Sequence, residues 1–353
     1  MKDKTDKIAI VGAGALGGHV GAYLTREGYD ITLIDPWPEH VNHMCADGLT
    51  LSGLTEPECF TQAVNAIHIT DLQKIAHGRL FDFAFVSMKS YDTIWATQMI
   101  KDYLTTDGFC ISLQNSINED RMASVVGWGK TVGCIASTIA VELNAPGHIK
   151  RNVRLGGRER TIFSVGEVHG RITPRIKKIA EMLSCVDSAE PTNNLWGQRW
   201  SKLVVNCMRN PVSAATGRGG NANDQDMHSR RLAVRLAGEA GRIGMALGYE
   251  LGLIYKIEPN LLINAERGDS EAMRKCEEIL IANTAFRNDD QRPSMGQDMI
   301  KGRRTEIDYL NGFVVEKAAE LGLKVPANAG IADVVRRIER GEIEASPEAI
   351  MHL

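Results

Sequence analysis

The stretch Lys7 to Asp35, KIAIVGAGALGGHVGAYLTREGYDITLID, constrains the fold more than any other part of the chain. The apolar run Ile8 to Val11 predicts a buried strand. Gly12, Gly14 and Gly17 follow in G-x-G-x-x-G order. A helical pattern through Val20 and Leu24 breaks at Gly28, and a second apolar strand, Ile31 to Ile34, ends in Asp35. Strand, glycines, helix, strand and terminal acid together form a βαβ unit of the dinucleotide-binding kind. In such a unit the first glycine allows the tight turn, the second lets the backbone approach a pyrophosphate, and the third lets helix and strand pack closely. The helix start offers free N–H groups and a partial positive charge to phosphates. The expected cofactor-binding residues are therefore Gly12, Gly14, Ala15, Leu16, Gly17 and Asp35. The bland alternative is a glycine-rich turn with no ligand.

Asp35 bears on which dinucleotide binds. A carboxylate ending the second strand accepts hydrogen bonds from the adenosine ribose and repels the 2′-phosphate of NADP. No Lys or Arg occurs from Pro36 to Gln73, so the next loop has no phosphate clamp. NAD is expected over NADP.

With 353 residues the chain is long enough for two domains. A net charge of −3 gives no general attraction to nucleic acid or an anionic membrane. The start, MKDKTDK, is charged, and no long apolar run follows. Seven scattered cysteines without C-x-x-C fit reduced thiols in the cytoplasm. Nine histidines show no ligand spacing, so no metal is expected.

Further strands are predicted at Phe81 to Met88, Gly108 to Leu113, Val132 to Ala140 and Arg160 to Val165. A turn is expected at Asn144 to Gly147 and a helix at Ile172 to Leu183. The first two of these strands end in Lys89 and in Gln114-Asn115. Ligands sit outside the carboxyl ends of parallel strands, so Lys89 and Asn115 are candidates to meet the nicotinamide end of a cofactor. A solvated lysine and a turn asparagine are the plain alternatives. Asp187 to Asn194 reads as a linker, dividing an α/β dinucleotide-binding domain (1–188) from a helical substrate and dimerisation domain (189–353). The clearest helices beyond it are Leu232 to Leu247, Ser270 to Asn283 and Glu306 to Leu321.

Trp200 to Pro211 reads WSKLVVNCMRNP, with Lys202, Asn206 and Asn210 at i, i+4 and i+8. On a helix they form one polar stripe. Asparagine is a poor helix former, so two of them on the lysine's face call for a reason. A solvated face has the same spacing. Arg292 to Gly312 reads RPSMGQDMIKGRRTEIDYLNG, and spacing alone marks neither Ser294 nor Glu306 as catalytic.

The sequence resembles the ketopantoate reductase family, the 2-dehydropantoate 2-reductases. The resemblance rests on VGAGALGG, the Lys89 strand end, Gln114-Asn115, the K-x-x-x-N-x-x-x-N-P run from Lys202, and TEIDYLNG from Thr305. It extends from Lys7 to about Arg340. It implies a Rossmann domain followed by an all-helical domain, and hydride transfer between a nicotinamide and a small branched 2-oxo acid. By the resemblance Lys202 is the general acid, Glu306 the substrate-orienting carboxylate, and Asn206 and Asn210 the amides that position substrate hydroxyl and lysine. Ser294 contacts the substrate carboxylate; Lys89 and Asn115 lie near nicotinamide and substrate. An ammonium suits the first role, because hydride arriving at a ketone leaves an oxyanion to be stabilised and protonated.

The chain departs from the family in places. Ser116 replaces the glycine usual after Gln-Asn. Arg209 stands where an apolar residue normally precedes Asn-Pro and joins the candidate substrate-binding residues. Family members usually carry a basic residue for NADP near Asp35. The helical half has extra sequence between Gly217 and Met295, and Arg218, Arg230, Arg231 and Arg235 lie in or near it. Those arginines read either as a solvated helix face or as holders of a larger or doubly acidic substrate. A homodimer is expected. The competing functions are an opine-type dehydrogenase and a catalytically silent NAD sensor.

Overall fold

The computed structural model describes residues 4–286 and 292–353; Met1–Asp3 and 287–291, part of the extra helical sequence, lie outside the described residues. The chain divides into two compact units, Met1–Leu195 and Trp196–Leu353.

Among its described residues the first unit holds twelve strands: β1 (Lys7–Val11), β2 (Asp30–Asp35), β3 (Leu49–Ser52), β4 (Phe60–Gln62), β5 (Asn65–His68), β6 (Phe81–Val86), β7 (Leu104–Ser112), β8 (Thr131–Ala136), β9 (Val141–Ala145), β10 (His148–Arg151), β11 (Phe163–Glu167) and β12 (Ala189–Thr192). Its helices are α1 (Ala15–Arg26), α2 (Pro38–Asp47), α3 (Thr93–Lys101), α4 (Glu119–Val126) and α5 (Pro174–Leu183). Eight strands form one sheet in the order β12-β11-β8-β7-β6-β1-β2-β5. From β5 through β8 every pairing is parallel, while β11 joins β8 antiparallel. The parallel strands thus run outward from β1 in both directions, the doubly wound Rossmann arrangement. Its switch point lies between β1 and β6, where ligands bind beyond the carboxyl ends.

A sheet covered on both faces needs strands that are apolar on both. In β1, Ile8 and Ile10 join one core with Val20 and Leu24 of α1 and Ile176 and Ile179 of α5. Ala9 and Val11 join the other with Ala96 and Ile100 of α3 and Met122 of α4.

Two sequence expectations in this unit give way. The strand expected from Val132 to Ala140 stops at Ala136, because Thr138 adopts φ 54°, a left-handed conformation that ends extended pairing. The chain then enters a second sheet, β4-β3-β10-β9, whose strands have only three to five residues and gave no period to read. The expected turn after Asn144 joins its β9 and β10 antiparallel. The segment read as a linker contains β12, which pairs with β11; its Pro191 is tolerated because β12 is an edge strand.

The second unit is helical among its described residues: α6 (Leu195–Thr216), α7 (Gly220–Gln225), α8 (Met227–Ala246), α9 (Pro259–Glu266), α10 (Ser270–Asn283), α11 (Ser294–Ile300), α12 (Asn311–Glu320) and α13 (Pro326–Glu339). α6 carries Pro211 inside it. The helix expected from Glu306 instead opens with a single 3-10 turn, Ile307–Tyr309, and α12 begins only at Asn311, after Leu310 at φ −103° and ψ −93°. No described helix is long and apolar enough to cross a membrane.

Candidate active site

The nucleotide end of the first unit is built at the β1–α1 turn. Gly12 sits at φ +96°, and a Cβ there would lie 2.8 Å from the Ser87 carbonyl oxygen. A Cβ on Gly17 would lie 2.0 Å from the Gly12 carbonyl oxygen, so helix and turn can close only on glycine. A Cβ on Gly14 would meet nothing within 4 Å, so it would project into space that a ligand can occupy. The N–H groups of Gly14, Ala15 and Leu16 make no hydrogen bond among the described residues, and α1 has no acidic residue in its first turn. Open N–H groups beside room for a pyrophosphate fit a dinucleotide.

Asp35 ends β2, is buried, and is held from two sides. One carboxylate oxygen accepts from Ala13 N–H at 2.8 Å and the other from Trp37 N–H at 2.9 Å. Burial pushes its carboxyl above the usual carboxylate value, against the pull of the Trp37 N–H, His40 and the Ala13 N–H. Sequence reasoning missed His40, fully buried on α2. Its Nδ1 accepts from Gly147 N–H at 2.8 Å, so the neutral ring carries its proton on Nε2, which donates to the Ala13 carbonyl at 2.9 Å. Both polar groups of Ala13 are therefore fixed, one by Asp35 and one by His40, and this steadies the glycine turn. A histidine on an amphipathic helix gives no signal of such a role.

Lys89 and Asn115 lie just past the ends of neighbouring strands β6 and β7, both partly exposed. Their loops are tied together. Gln114 Nε2 donates to the Met88 carbonyl and to Thr93 Oγ1, each at 2.9 Å, and Asn118 Nδ2 donates to the Asn115 carbonyl at 2.8 Å. The Asn115 amide makes no hydrogen bond among the described residues. Ser116 takes φ 65°, so this turn needs a left-handed residue, a conformation that costs serine about 1 kcal/mol.

In the second unit Lys202, Asn206 and Asn210 all fall on α6, as the stripe requires. Lys202 and Asn206 are half-buried and Asn210 is buried. Asn210 Oδ1 accepts from Ser294 Oγ at 3.3 Å and from Met295 N–H at 3.2 Å, so it joins α6 to the start of α11. Asn206 Nδ2 is buried without a hydrogen-bond partner among the described residues. A buried donor left unpaired costs roughly 1–3 kcal/mol, and such groups ask for a ligand or a water. Glu306 is buried; its backbone carbonyl accepts from Tyr309 and Leu310 N–H, each at 3.0 Å.

The arginines are largely engaged within the protein. Arg209 is ion-paired with the buried Asp224 and also donates to the Gly220 carbonyl at 3.2 Å. Arg230 and Arg231 share Glu277, at 3.0 and 3.2 Å, and Arg235 donates to the Leu353 carbonyl. Arg218 is exposed. Among the described residues no group of three His, Cys, Asp or Glu side chains is placed to hold a metal.

Comparison with known proteins agrees with this layout. Residues 8–165 match the family described as Ketopantoate reductase PanE/ApbA, and residues 194–339 match its C-terminal counterpart. The 2-dehydropantoate 2-reductase of Archaeoglobus fulgidus is 28% identical over 344 residues, covering 96% of this chain and 99% of its own. The crystal structure of a PanE/ApbA family ketopantoate reductase from Ralstonia eutropha is 27% identical, with TM-score 0.74, over 95% of this chain and 99% of its own. A D-mandelate dehydrogenase solved with NADH and anilino(oxo)acetate shares the fold at 22% identity, with TM-score 0.77, over 95% of this chain and 98% of its own.

Proposed function

Since the chain belongs to the ketopantoate reductase family, we propose that this nicotinamide-dependent oxidoreductase transfers a hydride between NAD(H) and a small 2-oxo or 2-hydroxy acid, with Lys202 as the general acid. The observation that carries the substrate side is the unpaired, buried Asn206 amide, one turn from Lys202 on one side and from Asn210 on the other. Asn206 then donates to a substrate oxygen, and Asn210, its oxygen held by the start of α11, offers its amide nitrogen to substrate or lysine. Ser294, hydrogen-bonded to Asn210, holds the substrate carboxylate, and Glu306 orients the substrate. Lys202 gives a proton to the reacting oxygen in reduction and takes it back in oxidation.

Bound at the glycine turn, the cofactor supplies or accepts the hydride. Gly14, Ala15 and Leu16 would hold its phosphates, Asp35 its ribose, and Lys89 and Asn115 its nicotinamide end. Support for NAD comes from Asp35, whose oxygens keep lone pairs beyond the two N–H groups they already bind, and from a chain without Lys or Arg between Pro36 and Gln73. The D-mandelate dehydrogenase, solved with NADH, has the same fold. We also propose that the protein works as a homodimer in the cytoplasm; light scattering at micromolar concentration checks the assembly.

The test is nicotinamide absorbance during a screen of 2-oxo and 2-hydroxy acids with NAD(H) and NADP(H). Turnover of such an acid, without an amine and faster with NAD(H), is expected. Cofactor binding with no turnover of any acid would overturn the proposal.

A further inference from the structure

Pro211 leaves a defect in α6. It has no N–H to give the carbonyl four residues earlier, Cys207, in the turn between Asn206 and Asn210. That carbonyl is not abandoned. Asn311 Nδ2 donates to it at 3.1 Å, and the same nitrogen donates to Asn328 Oδ1 at 2.9 Å. Asn328 in turn gives its Nδ2 to the Leu236 carbonyl at 3.1 Å and to Glu239 at 2.9 Å. Glu239, on α8, also accepts the N–H groups of Ala327 and Asn328, each at 2.9 Å, and so caps the start of α13. Asn311, Asn328 and Glu239 are all buried.

The orientation of Asn311 is fixed by its surroundings. Its nitrogen faces two acceptors, and a flipped amide would set oxygen against oxygen at both. Its own Oδ1 is buried without a partner among the described residues, a cost the site accepts to keep the nitrogen in place. Asn311 is also five residues after Glu306, with only one 3-10 turn between them. One amide therefore ties the segment carrying Glu306 to the α6 turn that carries Asn206 and Asn210.

We propose that Asn311 is a positioning residue for the reaction: it sets the register of the Glu306 segment against α6 through the carbonyl that Pro211 leaves open, with Asn328 and Glu239 holding it from behind. The proposal rests on the roles given above to Lys202 and Glu306. It explains why proline sits in a helix that carries the candidate acid. The missing N–H makes a docking point at the one turn where the two segments must be aligned.

The test is a double-mutant cycle with Asn311→Ala and Pro211→Ala. Pro211→Ala supplies the missing N–H, so the Cys207 carbonyl is satisfied within the helix and the double variant folds without Asn311. Turnover per folded molecule, KM for the acid, NADH affinity and Tm are measured for each variant. Asn311→Ala alone should lower kcat at least tenfold while NADH affinity stays within about twofold, and the same change on the Pro211→Ala background, where the helix fills the Cys207 carbonyl, should lower it far less. Wild-type kcat per folded molecule in Asn311→Ala, or the same loss on both backgrounds, would overturn the proposal and leave Asn311 only a filler of a carbonyl. Lys202→Ala separates the underlying site reading. If it loses turnover while the Asn311 comparison shows none, only the positioning role falls; if it retains turnover, the site reading falls and the proposal with it.

Discussion

The glycine turn after β1 and the proline turn of α6 treat orphaned backbone groups in opposite ways. At the start of α1 the N–H groups of Gly14, Ala15 and Leu16 stay open among the described residues, and a Cβ on Gly14 would meet no atom of them within 4 Å. At Pro211 the orphaned carbonyl of Cys207 is filled at once by a side chain from another segment. Both are breaks in helical hydrogen bonding. One is kept open, as for a ligand; the other is closed, as for alignment. Asn206 belongs with the first kind, since its buried amide nitrogen has no partner among the described residues. The comparison yields a rule that can be broken. Changes at open groups should alter binding or turnover with little loss of stability, and changes at filled groups should reach the stability as well.

The largest effect is expected at Lys202, which shares the α6 stripe with Asn206 and Asn210. Lys202→Ala should lower kcat by about 10² to 10⁴, the range for losing a positioned acid. Tm and NADH affinity should change little. A folded, NADH-binding variant with near wild-type kcat would show that another group moves the proton.

A sharper contrast lies within the glycine turn itself. Gly17→Ala puts a methyl 2.0 Å from the Gly12 carbonyl oxygen, a backbone atom that cannot step aside. It should destabilise the protein by about 1–3 kcal/mol or more. Gly14→Ala meets no protein atom within 4 Å, so Tm should hold while NADH affinity falls tenfold or more. Fluorescence titration with NADH and thermal melts separate the two. Equal loss of Tm in both variants would remove the distinction between open and filled positions.

These two sites also differ in how far they could be read in advance. The Rossmann half was legible because its logic is backbone logic. Glycine spacing, a continuous apolar strand and an acid at the next strand's end each leave a mark that few other structures need. The α6 stripe was legible as a helix but not as a site, since Lys202, Asn206 and Asn210 have the spacing of any solvated face. Only the family resemblance assigned their roles. Asn311 and His40 left no mark, because their partners are backbone carbonyls and N–H groups far along the chain. The small sheet was invisible for a related reason: three- to five-residue strands are too short to show a period. The arginines near the extra helices point the other way. Their sequence allowed acid binding as well as a solvated face, yet Glu277 already holds Arg230 and Arg231, and Asp224 holds Arg209, the candidate before Asn210.

Cofactor choice is a smaller effect on the same map. Asp35 is partly filled, since Ala13 and Trp37 each use one oxygen, but it is proposed to keep capacity for a ribose. Asp35→Ala should therefore reduce the preference for NADH over NADPH in kcat/KM, and it should also cost stability because the Ala13 N–H loses its acceptor. Asp35→Arg should favour NADPH further. Equal kcat/KM for both cofactors in the wild type would undo the assignment.

The smallest effect comes from a wholly filled group, and it should appear in stability alone. The Glu167 side chain, at the end of β11, is fully buried. It accepts from Arg175 Nε at 2.7 Å, from Arg175 Nη2, and from the Thr173 hydroxyl. Burial pushes its carboxyl up, but the Arg175 and Thr173 hydrogen bonds outweigh burial and hold it below its ordinary value of 4.5. A carboxyl depressed in the folded state binds fewer protons there than in the unfolded chain. It therefore stabilises the fold above the unfolded value, and that contribution is lost as pH falls through the folded one. Arg175→Ala removes the main partner and should cost about 1–3 kcal/mol near neutral pH. The gap between wild type and variant should narrow as pH drops below 4.5, where the unfolded chain's Glu167 takes up a proton that the folded carboxyl, held lower, still refuses. Urea melts at pH 7 and at pH 4 measure it, and NADH affinity at pH 7 should be the same in both proteins. A gap that widens on acidification would mean that Glu167 is not held ionised by Arg175. A lost NADH affinity would mean that this filled pair reaches the cofactor end after all, and the division between open and filled groups would no longer hold.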